Sequence, residues 1–185
     1  MSEQEWISRA KKGDLEAFDE LMKGYYPQVE RFAFQMGNPP DAVEDITQEV
    51  FIRVYRYLNR YSRGKFSTWL YKITLNVSKD MYRKRKSLLN KVNLLKHEYD
   101  GIESSAEEDL LRSESDRELH RLIQQLNDKY KIPVILFYFE EMRHDEISEI
   151  LDIPVNTVKT RLLRGREQLR NALGKGEALH AKRSF

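Results

Sequence analysis

Apolar residues recur three and four positions apart along almost the whole chain, and the strict alternation of a half-buried strand is nowhere sustained. That period marks amphipathic helices, so the fold class expected is all-α. After Gly13, Asp14 is placed to cap a helix whose Leu15, Phe18, Leu21 and Met22 share a face, and Pro27 suits the first turn of a second stretch carrying Val29, Phe32 and Met36. Gly37 and the residues NPPD end that stretch. Asp41, with Glu44 three residues on, has the form of a capping box opening a long helix with Val43, Ile46, Val50 and Val54 on its core face. A break follows at RYSRGK. Ser67 can then cap a helix with Leu70, Ile73, Val77 and Met81 as its apolar stripe and Lys72, Asn76, Lys79 and Arg83 along another side.

The pattern stops near Leu88. From there to Arg112 the chain is acidic, with Gly and Ser and few apolar anchors, the composition of a flexible linker. Beyond it Leu119, Ile123 and Leu126 resume the helical spacing, NDKY makes a turn, and IPVILFYF reads as a buried helix. A short helix with Ile147, Ile150 and Leu151, a tight turn at DIP, and a second helix with Val158, Leu162 and Leu169 inward follow. The organisation expected is two small helical domains, residues 1–87 and 113–175, with a flexible acidic linker over 88–112 and a loose tail over 176–185. The C-terminal domain carries a helix-turn-helix.

At 185 residues the chain can bury a core without covalent staples. It holds no cysteine, which excludes disulfides and thiolate metal sites and suits a reducing compartment. No run of roughly 18 apolar residues occurs, and the opening MSEQEWISRAKKGD lacks the apolar core of a signal peptide. A cytoplasmic protein, neither exported nor membrane-spanning, is expected. His97, His120, His144 and His180 are scattered without metal-ligand spacing, and no Gly-rich phosphate loop or nucleophile elbow occurs. Neither metal, cofactor, small-molecule substrate nor enzymatic activity is therefore expected.

The net charge of +2 conceals a segregation. Arg53 to Lys96 holds thirteen Lys or Arg against Asp80, whereas Glu98 to Glu118 holds nine acids against Arg112 and Arg117. Such blocks fit a polyanion-binding face followed by an acidic connector, or simply solvated helix surfaces. Within the basic block Phe51, Tyr55, Tyr57, Tyr61, Phe66, Trp69, Tyr71 and Tyr82 interleave with the cations. Unpaired bases stack on exposed rings while cations track the backbone, although rings at helical spacing also build cores. The loop before Ser67 is the segment expected to be exposed. From Val155 to Lys175 six cations face Glu167 alone, and Asn156, Thr157, Lys159 and Thr160 occupy the first turns, where a recognition helix meets base edges; the alternative is an ordinary basic surface helix. In DAVEDITQEVFIRVY the residues Asp41, Asp45, Gln48, Glu49 and Ile52 lie off the core stripe, either as a surface for a basic partner helix or as a solvated face.

These three constellations, in this order, resemble the sigma factors of bacterial RNA polymerase, specifically the compact extracytoplasmic-function (ECF) group. DAVEDITQEVFIRVYRYL is similar to the family's polymerase-binding helix, GKFSTWLYKITLNVSKDMYRKRK to its promoter-melting and minus-10 segment, and DEISEILDIPVNTVKTRLLRGREQLR to its minus-35 reader. The resemblance implies that Asp41, Asp45, Gln48, Glu49 and Ile52 dock on the clamp helices of the largest subunit of core RNA polymerase. It implies that Tyr61, Arg63, Lys65 and Phe66 belong to a pocket for a flipped nontemplate base, and that Lys72, Asn76, Lys79 and Arg83 contact the minus-10 element. It places Asn156, Thr157, Lys159, Thr160, Arg161 and Arg164 on minus-35 promoter DNA, and implies an anti-sigma partner. Arg143 stands where the family usually begins the reader's first helix with serine, so that helix is expected to lose a cap or to start near Asp145. Asn156 replaces a usual glycine and Thr160 a common serine. A stand-alone helix-turn-helix regulator and an RNA-binding protein are the other readings that these residues allow.

Overall fold

The computed structural model describes residues 2–95 and 114–183, with side chains placed over 2–88 and 116–174. The chain divides into two compact units, Met1–Glu107 and Glu108–Phe185. Among the described residues every regular element is helical, as the apolar period requires.

Unit 1 contains α1 (Glu3–Lys11), α2 (Leu15–Gln35), α3 (Pro40–Tyr57), a 3-10 turn at Leu58–Arg60, and α4 (Phe66–Leu95). Helices α2, α3 and α4 pack on one another, and α1 lies along α2. Val29 and Phe32 of α2, Ile46, Val50 and Val54 of α3, and Leu70 and Val77 of α4 are fully buried between them. Each such side chain stabilises the fold by about 1.5–3 kcal/mol on leaving water. Edge-on ring pairs join the same helices, Phe32 with Tyr71 and Phe18 with Tyr55, both at 5.1 Å between centroids. Asp14 caps α2, its carboxylate accepting from the Ala17 N–H at 3.0 Å; that bond and then the Arg9 guanidinium hold the carboxyl below its usual range.

Several boundaries depart from expectation. Helix α1 precedes the first helix that the spacing indicates, started by a reciprocal cap in which Glu5 N–H donates to the Ser2 hydroxyl (3.3 Å) and Ser2 N–H to the Glu5 carboxylate (2.6 Å). Pro27 does not begin a new helix: α2 passes straight through it, because Pro27 lies on the exposed side, where the carbonyl left unpaired can turn to water. Leu15 is exposed on the first turn of α2 and takes no part in the core. Helix α3 starts at Pro40 without a side-chain cap, so Asp41 lies inside the first turn, where its charge favours the helix N-terminus. The core face of α4 is Leu70, Tyr71, Thr74, Leu75, Val77 and Ser78, with Ile73 and Met81 half-buried. Helix α4 begins at Phe66, whose ring is buried, so Ser67 is its second residue rather than its cap. Helix α4 also runs eight residues past Ser87, over LLNKVNLL, a sequence with neither Gly nor Pro to stop it. Residues 96–112 of the expected linker lie outside the described residues.

Unit 2 contains α5 (Glu114–Gln124), α6 (Asp128–Tyr138), α7 (His144–Leu151) and α8 (Val155–Arg183). Helix α8 packs on the other three around fully buried Ile123, Ile135, Leu136, Ile147 and Val158. Where α8 crosses α6, a Cβ at Gly165 would stand 2.8 Å from a Val134 methyl, so this close approach requires glycine. The expected loose tail is instead helical as far as Arg183, since Glu177 to Lys182 are mostly strong helix formers; residues 184–185 lie outside the described residues.

Candidate functional site

Helix α3 turns Val43, Ile46, Val50 and Val54 inward and thereby sets the opposite side toward solvent. Asp41, Asp45, Gln48 and Ile52 are exposed there, at spacings of four, three and four. Tyr55 extends the row by three more, and with Ile52 forms an apolar end, 52% and 51% exposed, beside the acids. Tyr55 lies within the basic block of the sequence, yet its spacing from Ile52 sets it on this row. Glu49 is half-buried at the edge, accepting from Arg53 Nε at 2.7 Å, while Arg53 also reaches Asp80 of α4 at 3.3 Å. Asp41 lies 3.7 Å from Arg85 of α4.

Lys72, Asn76, Lys79 and Arg83 share one side of α4, with Asn76 and Arg83 exposed and the two lysines half-buried. Tyr82, 61% exposed, stands next to Arg83 in the chain. The segment before α4 does not present its rings. Tyr61 is 6% and Phe66 1% exposed, which corrects the expectation that the whole segment before Ser67 is exposed. Packing of four rings on one another is the physical reason: Phe66 lies 5.4 Å from Tyr61, 5.6 Å from Trp69 and 5.3 Å from Tyr25 of α2.

Ser62, Arg63, Gly64 and Lys65 are what this loop exposes. The Tyr61 hydroxyl donates to the Gly64 carbonyl at 2.7 Å and closes the loop on itself, with Gly64 in the left-handed region at φ 86°. From α1, Lys11 Nζ donates to the Tyr61 carbonyl and sits 5.3 Å from the Tyr61 ring centroid. At the other end of α1, Glu3 accepts from the Tyr25 hydroxyl; burial and then this carboxylate push that phenol well above its usual range.

In unit 2 the turn between α7 and α8 is tightly specified. Asp152 takes the left-handed conformation at φ 55°, its N–H and that of Ile153 donate to the Ser148 carbonyl, and the Ser148 hydroxyl donates to the Ile153 carbonyl. Helix α7 starts at His144 despite Arg143, because the Glu146 carboxylate accepts from the Arg143 N–H at 2.8 Å and so replaces half of the lost cap. On α8, burial of Val158, Leu162 and Gly165 leaves Asn156, Lys159, Thr160 and Arg164 exposed, with Thr157 and Arg161 half-buried beside them. The Thr160 hydroxyl donates to the Asn156 carbonyl at 2.9 Å, so what it can offer a base edge is an acceptor and a methyl group. The Arg164 guanidinium and then the Lys129 ammonium, the latter 4.8 Å from the Tyr130 ring centroid, draw the Tyr130 phenol below its usual range. Leu163, half-exposed in the row with Asn156 and Thr160, carries no polar group that would mark it in the sequence. Among the described residues no group of three or more His, Asp or Glu is placed to hold a metal ion, and no helix is long and apolar enough to cross a membrane.

Both parts of the chain are similar to known proteins. The family model for Sigma-70 region 2 matches residues 21–88, and that for Sigma-70 region 4 matches residues 116–169. The chain is 38% identical over 177 residues to the ECF RNA polymerase sigma factor SigW of Bacillus subtilis (strain 168), covering 90% of this chain and 94% of that one. Two solved structures share the fold at low identity. CnrH, in complex with the cytosolic domain of CnrY, superposes with a TM-score of 0.71 at 20% identity, over 92% of this chain and 96% of that one. The sigma factor RpoE of Bartonella quintana, in complex with the anti-sigma factor NepR, gives 0.69 at 18% identity, over 85% and 96%.

Proposed function

This chain belongs to the extracytoplasmic-function group of RNA polymerase sigma factors, and from that premise we propose how its surfaces divide the work of an alternative sigma factor. The α3 row of Asp41, Asp45, Gln48 and Ile52, with Glu49 at its edge and Tyr55 at its end, docks on the clamp helices of the largest subunit of core RNA polymerase. The Ser62–Lys65 loop receives a nontemplate base flipped out of the minus-10 element, an extraction that costs a few kcal/mol and must be offset by contacts to the captured base. Tyr61 and Phe66 frame that loop from within. Lys72, Asn76, Lys79 and Arg83 follow the melted strand and its phosphates. Asn156, Thr157, Lys159, Thr160, Arg161 and Arg164 meet the minus-35 duplex.

The observation that carries this reading is the segregation of charge within one packed unit, with acids and an apolar end on the outer side of α3 and cations along α4. One face suits a basic partner, the other a polyanion. The protein works in the cytoplasm at promoters of stress or envelope response. An anti-sigma protein, of the kind that NepR is for RpoE of Bartonella quintana, holds it inactive until the signal arrives. The polymerase forms the phosphodiester bonds; this chain contributes recognition and melting.

Co-purification with core polymerase tests the docking face. Asp45→Arg combined with Glu49→Arg should abolish association while leaving the helical circular dichroism unchanged, since Glu49 gives up only a surface pair worth under about 1 kcal/mol. Association retained by the double variant removes the α3 assignment. A wild-type chain that never co-purifies favours a stand-alone DNA reader or an RNA-binding protein.

A further inference from the structure

We infer that α1 is a pin for the base-receiving loop, with Lys11 as the positioning residue that fixes the loop's shape. The inference rests on the reading of Ser62–Lys65 given above. Helix α1 lies outside the stretch matched by Sigma-70 region 2, which begins at residue 21. It is nonetheless fastened to the loop's root from fifty residues away in sequence, through Lys11 Nζ and the Tyr61 carbonyl. A charged donor on a carbonyl makes one of the stronger hydrogen bonds available to a side chain, and the same ammonium lies 5.3 Å from the Tyr61 ring centroid.

Tyr61 is the residue through which that hold is transmitted. Its carbonyl meets Lys11, its ring packs against Phe66 and Trp69, and its hydroxyl donates to Gly64 across the loop. Displacing the Tyr61 backbone therefore moves Arg63, Gly64 and Lys65 together. Helix α1 can bear such a hold, because Ile7 and Ala10 are buried and the helix lies along α2. Its other end engages the same ring cluster, Glu3 accepting from Tyr25, whose ring lies 5.3 Å from Phe66. The exposed loop has little packing of its own, so a pin outside it is what can keep it in one conformation before DNA arrives.

Lys11→Met keeps the aliphatic stem and removes the donor, and Lys11→Arg restores a charged donor. Both are read in the full chain, first by native-state trypsin cleavage after Arg63 and Lys65 quantified by mass spectrometry. The second readout is permanganate reactivity of unpaired thymines in a complex with core polymerase at a promoter found by run-off transcription. Lys11→Met should raise cleavage at these two bonds about tenfold and lower thymine reactivity by a similar factor, while Lys11→Arg stays within about twofold of wild type. Affinity for core polymerase and for minus-35 duplex should not change. Unchanged cleavage in Lys11→Met overturns the inference, as does a loosened loop that still melts DNA normally when Arg63→Ala with Lys65→Ala does not. It is also overturned if Lys11→Arg is as defective as Lys11→Met and both lose thermal stability, the behaviour of a merely structural lysine. If Arg63→Ala with Lys65→Ala melts DNA normally while Lys11→Met loosens the loop, the pin stands and the reading of the loop as the base receiver fails.

Discussion

Truncating Phe66 removes a ring that is 1% exposed and has three aromatic neighbours within 5.6 Å. Phe66→Ala should cost about 3–5 kcal/mol, whereas Arg63→Ala on the exposed loop should stay within about 0.5 kcal/mol. Both tryptophans, Trp6 and Trp69, lie in unit 1, so a denaturant titration followed by tryptophan fluorescence reports that unit alone. A loss of melting in Phe66→Ala is therefore a stability effect before it is a recognition effect. Gly165→Ala places a methyl 2.8 Å from Val134 and should destabilise unit 2 by about 1–3 kcal/mol. That loss should show in a circular-dichroism melt and leave the tryptophan transition where it was. Tyr61 and Phe66 read from sequence as part of an exposed loop, because they sit at a break between two periodic segments, where no stripe assigns them a side. Their burial depends on Tyr25, some forty residues earlier, and on Lys11, fifty residues earlier. Asp14, by contrast, is legible as a cap, because capping is settled within four residues.

At the level of elements, the apolar rows of α3 and of the α7–α8 pair are legible because a 3.6-residue period states which side is buried. The turn at Asp152 to Pro154 is legible for a similar reason, being decided by local chemistry. Pro27 is ambiguous in sequence because proline marks helix starts as well as exposed positions in continuing helices, and only the packing of α2 on α1, α3 and α4 separates these cases. Helix α1 carries its own signal, Ser2 with Glu5 three residues on. On α8 the row of Asn156, Lys159, Thr160 and Arg164 is set by the burial of Val158 and Leu162. Lys159→Ala should weaken binding to minus-35 duplex and, if the contact is to phosphate, lower the salt dependence of log K by about 1. Arg161→Ala, starting half-buried, should add a packing loss to the same electrostatic one. Binding curves for both that overlay wild type across salt concentrations would remove α8 from the DNA surface.

For the molecule as a whole, two compact units carry different chemistry on one chain. Unit 1 offers an acidic and apolar row on α3 and a cationic side on α4, and unit 2 offers a cationic row on α8. A duplex-reading module that anchors and a second module that holds melted strand reinforce one another through effective concentration, which neither supplies alone. The order of these surfaces was legible because charge blocks and helix periods survive in sequence. The framing of the loop by α1 was not, because it rests on contacts between segments fifty residues apart. The central claim is that this chain directs core polymerase to promoters by joining these surfaces. Run-off transcription with purified core polymerase on fragmented genomic DNA tests it most directly. The wild-type chain should yield discrete transcripts that vanish with Asp45→Arg combined with Glu49→Arg; a wild-type chain that yields none, or a double variant that yields the same set, would contradict it.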